Sequence, residues 1–196
     1  MRRFVTFEGI DGSGKSTVSK GVYDRLKEME YDVVLTFEPT DGFIGETVRR
    51  CIEENCDPVT TALLFIGDRV EHCKEIREWL NNGKIVLCDR YADSTYAYQG
   101  AQLENVVEKP MEWLQSVSKE FIILPEKTFL FDLLPKDALD RIRMRERLIS
   151  FEREEFLIRV RENYLKLAKE KRFVVLDAGR QVGELVEECV KEITGD

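Results

Sequence analysis

Gly9-Ile10-Asp11-Gly12-Ser13-Gly14-Lys15-Ser16 matches GxxxxGK[ST] in full. No other part of the chain constrains its fold as much, because the pattern works as the turn between a β-strand and a helix. Both flanks comply: residues 3–8 read as a strand, and residues 15–29 carry helical period. In such a turn the glycines let backbone N–H groups wrap a polyphosphate, and the helix N-terminus adds favourable partial charge. Lys15 is placed to bridge the β- and γ-phosphates, and Ser16 to hold Mg²⁺. The residues expected against the triphosphate are Gly9, Ile10, Asp11, Gly12, Ser13, Gly14, Lys15, Ser16 and Thr17. The loop by itself does not separate ATP from GTP.

The rest of the chain alternates apolar, β-rich runs with longer stretches of helical period. Further strands are expected at 32–37, 84–88, 127–131 and 172–176. Helices are expected at 44–52, 58–81, 109–119, from 136, at about 152–171 and at 182–193. The continuously apolar run Ile85-Val86-Leu87-Cys88 suits a strand covered on both faces. The βαβα order implies an α/β fold: a doubly wound, five-stranded parallel sheet with helices on both faces. Ligands of such sheets lie at the carboxyl ends of the strands. Chemically capable residues gather there: the glycine-rich loop follows the first strand, Glu38-Pro39 the second and Asp89-Arg90 the third.

Composition narrows the class. At 196 residues the chain suits one domain, taken as 1–196, with no repeat, low-complexity tract or linker. Its 30 basic and 38 acidic residues give a net charge of −8, which argues against nonspecific binding to nucleic acid or to an anionic membrane. No apolar run reaches the roughly 20 residues that span a bilayer, and the N-terminus lacks a signal-peptide pattern. Five cysteines without a CxxC pair argue against a disulfide scaffold or a zinc site, so a reducing cytoplasm is expected.

A resemblance enters with four stretches in order along the chain. Phe7 to Thr17 is similar to the phosphate loop of thymidylate kinases. Glu38-Pro39 resembles their EP element, and Leu64-Phe65-Ile66-Gly67-Asp68-Arg69 their LFxxDR helix. Asp89-Arg90-Tyr91-Ala92-Asp93-Ser94-Thr95-Tyr96-Ala97-Tyr98-Gln99-Gly100 resembles their DRYxxSxxAYQG stretch, the most specific of the four. The resemblance implies transfer of a phosphoryl group from ATP to dTMP with Mg²⁺, a P-loop nucleoside monophosphate kinase fold with a short lid, and a homodimer packed through helices.

The same resemblance implies roles. Phe65 would stack on thymine, and Arg69, four residues on and on the same helix face, would contact its O4 edge. Taken by themselves the two also fit a core Phe beside a surface Arg. Arg90 would bind the 5′-phosphate of dTMP, with Glu38, Ser94, Tyr98 and Gln99 completing the acceptor contacts. Asp89, Ser16 and Glu152 would belong to the magnesium shell, and Asp11 would lie near the acceptor's sugar and phosphate. Many thymidylate kinases carry Arg before the EP glutamate; Phe37 stands there, and Arg49 on the next helix is the expected substitute. His72, the sole histidine, is expected to be structural or exposed.

Arg141, Arg143, Arg145, Arg147 and Arg153 reverse the local charge of an acidic chain. Segment 141–153 is read as a lid that closes over ATP, with Arg145 the expected catalytic charge beside Lys15, Asp11 and Arg90. Gly12 occupies the position where other thymidylate kinases place an arginine, and an arginine introduced there is expected to replace a lost lid charge in part. Residues 177–181 follow the last strand, where related kinases hold adenine, but a plain strand-to-helix connection reads the same. Two other readings stay open at this stage. A small-molecule kinase would need a base such as Glu38, and a GTP-dependent switch would need NKxD and DxxG motifs, neither of which is in place.

Overall fold

The computed structural model describes residues 3–143 and 151–195, with the side chains of residues 143 and 151–153 outside the description. Five strands form one parallel sheet: β1 (Arg3–Glu8), β2 (Val33–Phe37), β3 (Ile85–Asp89), β4 (Lys127–Asp132) and β5 (Phe173–Asp177). Their order is β2-β3-β1-β4-β5. Every pairing is parallel, with Phe7 opposite Asp89 on one side and Phe129 on the other. Eight helices complete the described chain: α1 (Lys15–Glu28), α2 (Phe43–Glu53), α3 (Pro58–Asn81), α4 (Ala92–Gln102), α5 (Pro110–Ser118), α6 (Pro135–Arg143), α7 (Phe151–Leu167) and α8 (Val182–Thr194). This is the doubly wound α/β architecture expected from the sequence.

Strand position explains strand composition. The central strands β1, β3 and β4 are buried along nearly their whole length, whereas the edge strands β2 and β5 are largely half-exposed. Burial on both faces removes the alternation a one-sided strand would show. A Thr6–Thr128 hydroxyl pair, 2.8 Å apart, adds a side-chain hydrogen bond between β1 and β4. Chain direction across the sheet reverses after β2: the chain runs from β1 out to the edge strand β2, then returns through β3 and continues past β1 to β4 and β5. The crevice outside the carboxyl ends of β1 and β3 is therefore the topological site for a ligand.

Helix α4 is the element that sequence reasoning left unassigned. Its residues Ala92 to Ala101 are buried apart from Tyr98, so it has no polar face and no helical alternation to read. Its Ser, Thr, Tyr and Gly content also lowers intrinsic helix preference. Packing makes it helical: it is wedged among α3, α5 and α7. Burial of Gly100 follows from that, since a Cβ there would meet Met111 Cγ at 3.0 Å.

Candidate active site

Residues 9–14 leave β1 and turn sharply into α1. Gly12 has φ +85°, and a Cβ on it would lie 2.5 Å from the carbonyl oxygen of Ala138 in α6. The sequence-based idea of an arginine at this position standing in for a lid charge is therefore corrected: α6 closes the space and the backbone disfavours any side chain. Gly14 caps α1 without a side chain, and no acidic residue sits in the first turn. An uncapped helix start of this kind is an anion site. Lys15 is only 6% exposed. Burial, then the Arg90 charge, lowers its pKa to about 8.

A second group surrounds a cavity of about 330 Å³ beside this loop. All seven residues expected against the acceptor, Glu38, Phe65, Arg69, Arg90, Ser94, Tyr98 and Gln99, line it, together with Asp11. The alternative of a core Phe and a surface Arg is reversed: Arg69 is 1% exposed and Phe65 half-buried. Arg69 Nε and Nη2 reach Glu38 Oε2 at 2.8 and 2.7 Å, and Nη2 also donates to Tyr91 O and Thr95 Oγ1. Its Nη1 is buried without a protein partner among the described residues. A guanidinium nitrogen in that state, on a cavity wall, suits an external carbonyl oxygen.

Arg90 follows β3 directly, with φ +67°. Its Nη2 donates to Asp11 Oδ1 at 2.5 Å and its Nη1 to Ser94 Oγ at 3.0 Å. The guanidinium lies 5.1 Å from the Tyr98 ring centroid. Tyr98 in turn accepts the backbone N–H of Asp11 at 2.9 Å, so the phosphate loop and α4 share one network. Burial pushes the Tyr98 hydroxyl up and keeps it protonated.

Several residues that the sequence reading gave no place in the acceptor site hold this arrangement. Glu8, fully buried at the end of β1, accepts from Tyr91 N at 2.8 Å, Ser94 Oγ at 2.5 Å and Tyr164 Oη at 3.0 Å. Burial, then Asp93, raises its pKa to about 7. Asp68 accepts Thr40 N and Oγ1 at 2.8 and 2.6 Å and so fixes the turn after Pro39. His72 is buried, with Nδ1 3.0 Å from Glu38 Oε1 and Nε2 2.8 Å from Thr36 Oγ1. Arg141 donates to Gly12 O and Ser13 O at 3.5 Å and to Ala178 O at 3.0 Å, tying the phosphate loop to the segment after β5. The signal for Glu8 and Asp68 is present in the sequence, since both are charged residues inside the Phe7–Thr17 and Leu64–Arg69 stretches; no pattern in the sequence marks Tyr164.

Arg49 is a second correction. It donates to Pro39 O at 2.9 Å and pairs with Asp41 at 3.3 Å. It does not line the acceptor cavity, so it does not replace the charge missing at Phe37. Ser16, expected to hold magnesium, is exposed at the start of α1. Asp89 Oδ1 is buried with no hydrogen-bond partner among the described residues, which fits a cation or its water shell. Arg145 and Arg147 lie outside the described residues, as do the side chains of Arg143, Glu152 and Arg153.

A family model described as "Thymidylate kinase" matches residues 7–189. The chain is 43% identical over 195 residues to a probable thymidylate kinase of Methanosarcina mazei, covering 97% of this chain and 95% of that one. It is 40% identical over 193 residues to one of Sulfurisphaera tokodaii, covering 98% and 96%. A third, from Pyrobaculum calidifontis, is 42% identical over 190 residues, covering 95% and 93%. With the match extending from inside β1 into α8, the chain belongs to the thymidylate kinase family.

Proposed function

We propose that this protein transfers the γ-phosphoryl group of ATP to the 5′-phosphate of dTMP, forming ADP and dTDP. The observation that carries this reading is the single cavity lined by Phe65, Arg69, Arg90, Tyr98 and Gln99 beside Lys15's loop. It offers a ring face for a base, a guanidinium nitrogen seeking an acceptor, and a second guanidinium near the donor phosphates. The acceptor oxygen is already ionised near neutral pH, so no general base is needed. Positioning and charge stabilisation supply the catalysis. Lys15 and the N–H groups of α1 hold the donor phosphates; Arg90 and Asp11 orient the acceptor. Mg²⁺ would be held by Ser16 and the Asp89 shell, with Glu152 a further candidate, and would neutralise charge on the β- and γ-phosphates. Segment 141–153 serves as the lid, Arg145 supplying charge on closure. The protein acts as a cytoplasmic homodimer.

Release of ADP in the presence of each nucleoside monophosphate tests the assignment. dTMP should stimulate it most and dUMP more weakly. Preference for CMP or AMP would overturn the acceptor reading and leave the phosphate loop intact.

The Arg69 contact carries its own expectation. A carboxylate only accepts, so His72 Nδ1 carries the proton it shares with Glu38. His72 therefore holds Glu38, and Glu38 holds Arg69. His72→Phe should raise KM for dTMP about 3–10-fold, the worth of one hydrogen bond near 1 kcal/mol, with little change in KM for ATP. His72→Asn, whose amide nitrogen can take the place of Nδ1, should recover most of the loss. Equal effects of Phe and Asn, or equal changes for both substrates, would remove His72 from this role.

A further inference from the structure

Helix α2 ends in a turn whose geometry brings two cysteines together. Asn55 is left-handed, with φ +53°. Cys56 N donates to Cys51 O at 2.9 Å, spanning the last turn, and Asn55 N donates to Ile52 O at 3.4 Å. These two bonds and the left-handed residue define a Schellman motif, which ordinarily seals a helix end by apolar contact between the side chains at the positions of Cys51 and Cys56. In this chain both positions are thiols. The motif sets the two side chains against one another at the end of α2. Both are half-buried and line a cavity of about 690 Å³. Ile52, Gln99, Gln102 and Phe156 line this cavity and the acceptor cavity alike. The other three cysteines are buried and lie elsewhere: Cys73 against Tyr91, Cys88 against Arg90 O, and Cys189 in α8.

We infer that Cys51 and Cys56 form a dithiol site that closes to an intramolecular disulfide on reaction with a low-molecular-weight disulfide. Cys56 attacks first. The neighbouring Cys56 thiol, together with burial, pushes the Cys51 thiol up and keeps the proton on Cys51. The Cys56 thiolate attacks one sulfur of the disulfide RSSR, breaks the S–S bond and expels RS⁻. Cys51 then gives up its proton, attacks the Cys56 sulfur of the mixed disulfide and expels the second RS⁻. The two thiols lose two electrons and two protons, and RSSR is reduced to two RSH. The Cys51–Cys56 bond would clamp the joint between α2 and α3, the helix that carries Phe65 and Arg69. The chemistry is read by mass, so it stands or falls independently of the acceptor assigned above.

Native protein is treated with glutathione disulfide, and intact mass and disulfide-linked peptides are followed for wild type, Cys51→Ser and Cys56→Ser. Wild type should lose two hydrogens, retain no glutathione and yield a single linkage between Cys51 and Cys56. Cys51→Ser should stop at one glutathione adduct on Cys56. Cys56→Ser should stop at one glutathione adduct on Cys51. On unmutated protein, phenylarsine oxide, which bridges paired thiols, should bind one per chain and block the oxidation. A wild type that stops at a mixed adduct, links two chains, uses Cys73, Cys88 or Cys189, or fails to react overturns the proposal.

Discussion

Lys15→Met should cut turnover by at least about 10²–10³-fold, the worth of one charged donor at the transferring group, and should raise the stability of the ligand-free protein. The two effects share a cause. Lys15 is 6% exposed, and burial followed by the Arg90 charge lowers its pKa from 10.5 to about 8. A buried lysine with a depressed pKa costs stability wherever it is held charged. The unfolded chain keeps a pKa near 10.5, so between pH 8 and 10.5 it binds more protons than the folded chain. Stability must therefore rise with pH across that window, and below pH 8 the full cost of the buried ammonium remains. That cost is on the order of 3 kcal/mol, as an upper figure. Methionine keeps the stem's packing and removes the charge, so Tm near neutral pH should increase by several degrees. The rise in wild-type stability from pH 8 upward should flatten in the variant. A thermal denaturation series over pH checks both; a Tm that falls, with the pH dependence intact, would mean the loop stabilises the lysine's charge. With ATP bound the sign reverses, since the phosphates supply the counter-charge that the free protein lacks.

How much of this was legible in the chain follows from where each signal comes from. Strands β1, β3 and β4 were readable because burial on both faces leaves continuous apolar runs. The ends of helices and strands agreed to within a few residues because Gly83, Pro58 and the glycine-rich loop punctuate the chain. Helix α4 was not readable: its periodicity is erased by burial all round, and only its likeness to a known stretch marked it as functional. In the site, residues that line the cavity were legible and residues that hold them were not. Phe65, Arg69 and Arg90 carry chemistry that residue type reveals. Glu8 and Tyr164 meet across 156 residues of sequence, Glu8 and Ser94 across 86, and His72 and Glu38 across 34. Nothing local encodes such pairings; the sheet order creates them by placing β1, β2 and β3 side by side. Arg49 failed for the opposite reason. Its charge was legible, but the turn at Pro39–Asp41 supplies the carbonyl and carboxylate it pairs with.

Arg90→Ala should raise KM for dTMP roughly 10–100-fold, the loss of about 1.5–3 kcal/mol in a charge-assisted phosphate contact. KM for ATP should change far less. The structure adds two consequences to the simple loss of a charge. First, Arg90 Nη2 is 2.5 Å from Asp11 Oδ1. Removing the guanidinium leaves the Asp11 carboxylate facing an incoming phosphate, and draws Lys15 Nζ, 3.9 Å away, toward Asp11 and away from ATP. Part of the defect is therefore repulsion, and Arg90→Ala combined with Asp11→Asn should bind dTMP better than Arg90→Ala does. Second, Arg90 adopts φ +67°, a conformation that costs a residue with a Cβ about 1–2 kcal/mol. Glycine adopts it freely at some cost in unfolded-state entropy. Arg90→Gly should match Arg90→Ala in its dTMP defect while being at least as stable to heat. Steady-state kinetics with each substrate varied, beside thermal denaturation of the three variants, separates these contributions. If KM for ATP rose in parallel with KM for dTMP, Arg90 would stand between the two phosphates and not on the acceptor alone. If the double variant were no better than Arg90→Ala, the Asp11 carboxylate would not face the acceptor phosphate, and the loss would be that of the contact itself.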